Sequence, residues 1–170
     1  MTADTLALWM KSTALHSAIV HSTSVWPILE MLHYLGLSLL FGGLMIIDLR
    51  LMSVIRHLSF RGANGFIPGA LVGFAINLTT GVLFLFGDPD RYWGNTSFQI
   101  KMALITFAGV NALVFRHYLK PSLISRDEPL INDANQTPAN KRQLALLAGL
   151  LSLCAWIGVI VMGRLIPYLE

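Results

Sequence analysis

Long apolar runs dominate the pattern. Residues 31–47, 62–87, 102–115 and 143–163 contain no Asp, Glu, Lys or Arg. A membrane-crossing helix needs about 20 mostly apolar residues. The third run reaches that length only with Lys101 and Arg116 included, their charged heads snorkelling to the two interfaces. The first gains length from Trp26-Pro27, with Pro27 at a helix N-terminus, where a missing N–H costs nothing. The pattern predicts helices over about 26–58, 66–87, 98–119 and 142–166. Four helices with short links give an all-α, integral-membrane, up-down-up-down bundle. The first helix, roughly 50 Å long at ~1.5 Å per residue, exceeds a bilayer core of about 30 Å. Its last turns, with Asp48, Arg50, Arg56 and His57, are expected beyond the hydrocarbon or along its boundary.

Residues 5–21 are broken by Lys11, Ser12, Thr13 and His16, which suits neither a fifth span nor a signal peptide. Leu6, Trp9, Thr13, His16 and Val20 fall on one helical face, so a short interfacial helix is expected on the outer surface. In the polar loop at 88–97, Tyr92 and Trp93 suit headgroup depth. Residues 121–141 form the Pro/Asn/Asp-rich connection, expected to be mobile and cytoplasmic. No repeat or second domain is visible, and residues 1–170 read as one transmembrane domain.

Composition agrees with lipid as the main solvent. The 170 residues are 55% hydrophobic and 12% charged, against about 25% charged in soluble domains. The single cysteine, Cys154, excludes an intramolecular disulfide and any Cys-based zinc or iron–sulfur site. The net charge of +3 is better read as a topology signal than as a nucleic-acid footprint. Arg50, Arg56, Arg61, Arg116, Lys120, Arg126, Lys141 and Arg142 flank one membrane face; Lys11, Arg91, Lys101 and Arg164 flank the other. The richer side is expected to be cytoplasmic, which places both termini in the periplasm.

Polar groups inside spans are costly and face the bundle interior by default. Glu30 and His33, three apart, share a face near the outer end of helix 1, with Lys101 at similar depth. Asn77 lies mid-span, Asn111 in the inner half of helix 3, and Asp48 and Arg50 at the inner end of helix 1. A structural account pairs Glu30 with Lys101, bonds Asn77 and Asn111 across helices, pairs Asp48 with Arg50 or Arg116, and lets His33 donate to a carbonyl. Small residues at Gly36, Gly42-Gly43, Gly69-x-x-x-Gly73 and Ala145-x-x-x-Gly149 are expected at helix contacts.

The histidines sort by depth. His16, His21 and His33 belong to the outer side, His57 and His117 to the inner side. That division suits a haem b protein with an outer pair, His33 with His16 or His21, and an inner pair, His57 with His117. Arg56, Arg116 and Lys101 are then candidates for the propionates. Such a protein would pass electrons to a membrane or periplasmic redox partner. Glu30-x-x-His33 also has the spacing of carboxylate-bridged metal sites in bundles, but further carboxylates at that depth are missing. Copper, or another transported cation, stays open through His33, Glu30 and neighbouring Met31, Met10, His16 and His21. A third reading is a non-catalytic subunit of a larger inner-membrane complex, or a homo-oligomer.

Trp26-Pro27, Glu30, His33, Gly36, Phe41-Gly42-Gly43 and Asp48-Leu49-Arg50 form a recognisable series. It continues with Ile76-Asn77, Thr80-Gly81, Leu83-Phe84, Phe98, Lys101 and Asn111. Over residues 25–118 the chain resembles a family of small bacterial inner-membrane proteins whose function is not established. That resemblance implies four or five helices and a bacterial inner membrane, and no particular chemistry. The architecture is also similar, in outline, to copper-resistance membrane proteins and small b-type cytochromes. No Ser/His/Asp or Cys/His set at one depth, phosphate-cradling loop or His-Glu-x-x-His motif is present.

Overall fold

The computed structural model describes residues 3–115, 117 and 139–169. Two short helices come first, α1 (Ala3–Lys11) and α2 (Ala14–Val20). The first span, α3 (Val25–Leu51), is followed by the short α4 (Phe60–Asn64) and the second span, α5 (Ile67–Gly87). The one-turn α6 (Pro89–Trp93) leads into α7 (Thr96–Val114). The last span, α8 (Ala139–Leu165), ends in a 3₁₀ turn at Ile166–Tyr168. Four helices are long and apolar enough to cross a membrane. The protein is an all-α, multi-pass four-helix bundle. An even number of crossings puts both termini at one end, called here the near end; the far end carries the turn after α3 and the last turn of α7.

Packing follows the order α5–α3–α8–α7. The largest interfaces are α3 on α5 and α7 on α8, and a smaller one joins α3 to α8. Leu40, Ala70, Ala108, Ala155, Trp156 and Val159 form the buried core, drawing on all four spans. Much of the remaining apolar surface points outward: Leu71, Val72 and Leu113 are exposed, as lipid-facing positions are. Small residues bring the backbones together. A Cβ added at Gly73 would lie 2.5 Å from both Gly36 O and Leu40 N, and one at Gly43 would lie 3.0 Å from Ala70 Cβ. Gly149 sits against the backbone of Asp48 on α3. Gly42 and Gly69, expected at contacts, face open space: a Cβ at either would have nothing within 4 Å.

Two expected helices end differently. The first span stops at Leu51, not near 58. Ser53 takes φ 61°, Ser53 N–H donates to Arg50 O (3.0 Å), and Val54 N–H donates to Leu49 O (2.9 Å). This pair of bonds around a left-handed residue is a Schellman stop. His57 therefore lies beyond the helix, exposed. The expected helix over 5–21 is broken at Ser12-Thr13, where Thr13 caps α2 by accepting His16 N–H (3.2 Å). The two pieces fold over the near end of the bundle. Lys11 pairs with Asp90 of α6, and Trp9 meets Phe86 edge-on, centroids 5.9 Å apart. The loop at 88–97 contains a helical turn, α6, with Asp88 capping it through Arg91 N–H. Arg116, the last residues of the expected third helix and the 121–138 connection lie outside the described residues.

Candidate functional site

The near end of α5 gathers the polar groups of three helices. Asn77, Thr80 and Phe84 lie at helical spacing on the face of α5 that meets α3. Asn77 Nδ2 donates to His33 O (3.2 Å) and to Gly73 O on its own helix (3.3 Å). Thr80 is buried, and its Oγ1 lies 2.7 Å from His33 Nδ1. The same Oγ1 lies 2.8 Å from Ile76 O and 3.2 Å from Asn77 O. A hydroxyl has one proton, and carbonyl oxygens only accept. The Thr80 proton therefore goes to the backbone, and Thr80 accepts from His33 Nδ1–H. His33 Nε2 is left with its lone pair. Phe84 meets the imidazole edge-on at 5.5 Å and Trp26 at 5.3 Å.

A second imidazole is fixed on α5 in the same manner. His16, half-buried on α2, has Nδ1 2.8 Å from Phe86 O. Phe86 is in the last turn of α5, where carbonyls lack a helical partner. A carbonyl can only accept, so His16 Nδ1–H donates and its Nε2 is free for another partner. His21 is exposed, and its Nδ1 donates to Ser17 O of its own helix (2.8 Å).

Other candidates are distributed along the molecule. Glu30 is exposed and accepts from Trp26 Nε1 (3.1 Å). The expected Glu30–Lys101 ion pair is not formed among the described residues. Lys101 instead lies along α8, its Nζ 3.3 Å from where a Cβ on Gly163 would sit. Asn111 Nδ2 donates to Ala148 O (2.9 Å), joining α7 to α8 as expected. Asp48 and Arg50 are buried at the far end without pairing with each other. His57 and His117 are both exposed there.

No protein-family model, curated protein or solved structure matches the chain.

The chemistry available is thus that of two oriented imidazoles, one cation and an aromatic wall. Among the described residues no group of three or more His, Cys, Asp or Glu side chains converges to hold a metal ion. Thr80, Phe84 and Phe86 were not singled out as site residues from the sequence. The 3–4 spacing of Asn77, Thr80 and Phe84 was the usable signal; the backbone carbonyl of Phe86 left none.

Proposed function

We propose that the chain is a bacterial inner-membrane protein that binds one b-type haem at the near end and passes electrons through it. In this reading His33 and His16 would hold the haem. The carrying observation is that both imidazoles anchor Nδ1–H on α5, through Thr80 Oγ1 and Phe86 O, and present Nε2. Ligating histidines are held in this way, with the second nitrogen donating to a fixed acceptor. The anchors are six residues apart, about 9 Å of helix rise, so the two rings are spaced along one rigid element.

The donor set fits a porphyrin better than a bare cation. A porphyrin brings four nitrogens and asks the protein for one or two axial ligands. Among the described residues no group of three or more His, Cys, Asp or Glu side chains gathers to hold a bare cation. Lys101, with no hydrogen bond or ion pair of its own among the described residues, supplies a cation for a propionate. Phe84 gives apolar ring surface beside His33, and Trp26 packs against Phe84. The haem would supply one-electron chemistry, His33 and His16 would hold it, and Thr80 would fix the His33 tautomer. A second haem between His57 and His117 is not included, since both side chains lie exposed outside the spans. The electron partner would meet the near end, in the membrane or the periplasm.

The test is an absorbance spectrum of detergent-solubilised protein expressed with ample haem. A Soret band is expected, lost in His33→Ala, weakened in His16→Ala and unchanged in His21→Ala. Folded wild-type protein without a Soret band, or a full band in His33→Ala, overturns the reading. Absence of the band together with stable co-purification of a larger complex would favour an accessory subunit.

A further inference from the structure

Asp48 and Arg50, in the last turns of α3, are 4% and 2% exposed. Residues two apart on a helix do not face each other, and these two have separate surroundings. Asp48 lies against α8, its backbone O 2.9 Å from where a Cβ on Gly149 would sit. Arg50 meets the α4 side, its guanidinium carbon 4.3 Å from the centroid of the Phe60 ring. Among the described residues, Arg50 Nε and Nη2 are buried with no hydrogen-bond partner, and so is Asp48 Oδ2. The two orphans differ in kind. A buried carboxyl can take up a proton and become neutral, whereas a guanidinium in a protein does not lose one. The arginine therefore requires an anion, because a buried unpaired charge is strongly unfavourable.

Nε–H and Nη2–H form one edge of the guanidinium, the edge that receives two oxygens of a carboxylate or phosphate side by side. Phe60 braces the flat face, and that buried edge is the part of the guanidinium left without a partner among the described residues. We propose that Arg50 holds a phosphate-type oxyanion through this edge, and that a phospholipid headgroup is its natural source. Arg50 stands one residue before the end of an apolar span, the level at which lipid phosphates meet the hydrocarbon. A phosphodiester offers the two unesterified oxygens that the fork matches. The site is independent of the haem reading: 17 positions, about 26 Å of helix, separate Arg50 from His33.

Delipidated full-length protein in an uncharged detergent would be unfolded thermally with added phosphatidylglycerol or, separately, inorganic phosphate at matched ionic strength. The wild type is expected to be stabilised by phosphatidylglycerol at about tenfold lower concentration than Arg50→Lys, which keeps the charge but loses the fork. Arg50→Gln is expected to lose the response. A response to lipid alone identifies the headgroup; a response to inorganic phosphate as well shows a site open to free oxyanions. No response in the wild type, or equal responses in wild type and Arg50→Lys, overturns the proposal. If neither variant folds, phenylglyoxal modification of Arg50 decides, read by peptide mass spectrometry. Protection by phosphatidylglycerol or phosphate supports the site, and equal modification with and without them refutes it.

Discussion

Thr80→Val keeps nearly the same side-chain shape and removes one oxygen. That oxygen receives His33 Nδ1–H and donates its own proton to the backbone of α5. The substitution leaves a half-buried imidazole N–H without an acceptor, a cost of about 1–3 kcal/mol. Thr80→Ser is expected to restore most of the loss, because it returns the oxygen. Unfolding by SDS titration in mixed micelles, compared across wild type, Val and Ser, checks this; equal stability of Val and wild type would show that the bond contributes nothing. At this scale the sequence was partly legible. A polar side chain inside an apolar run is conspicuous, and Asn77 and Asn111 do bond across helices as expected. Partner choice was less visible. Glu30 is held within its own helix by Trp26, one turn earlier, so charge complementarity with Lys101 alone was a poor guide. Asp48 and Arg50 look like a pair in sequence, yet their spacing turns them to different neighbours.

Helix ends and helix contacts separate by how locally they are encoded. The ends of α5 at Ile67 and Gly87 follow from an apolar run closed by a polar, proline-containing segment, and lie within a residue of the expected limits. The end of α3 was hidden because the left-handed residue in its stop is Ser53, where glycine is the usual signal. Among the small residues, position in a run did not say which faced a helix. Gly73 faces α3 and Gly69, one turn earlier, faces nothing. Gly73→Ala drives a methyl into the backbone of Gly36 and Leu40, which cannot yield without parting α3 from α5. A loss of about 1–3 kcal/mol is expected. Gly69→Ala, by contrast, fills open space and gains about 0.5–1 kcal/mol from helix propensity. Opposite signs for two alanines four residues apart, measured by the same SDS titration, would establish the α3–α5 seam. The reverse order would place it on another face.

The arrangement of the whole molecule depends on which membrane side receives its cations, and burial refines that count. Arg50 is inside the fold, and Lys101 lies against Gly163, so neither weighs like a loop charge. Removing one from each side of the sequence count leaves Arg56, Arg61, Arg116, Lys120, Arg126, Lys141 and Arg142 in the stretches that follow the first and third apolar runs. Lys11, Arg91 and Arg164 remain at the near end. The bias still favours a cytoplasmic far end, because Lys and Arg in short loops are retained on that side. The orientation also constrains function, since it would open the His33–His16 end to the periplasm and the Arg50 end to the inner leaflet. Single cysteines in a Cys154→Ser background test it. Gly94 tolerates a side chain, having nothing within 4 Å of a Cβ, and His57 is exposed at the opposite end. An impermeant maleimide is expected to label Gly94→Cys in intact spheroplasts and His57→Cys only after lysis. The opposite pattern would turn the molecule over, and with it the side that the proposed electron partner would have to reach.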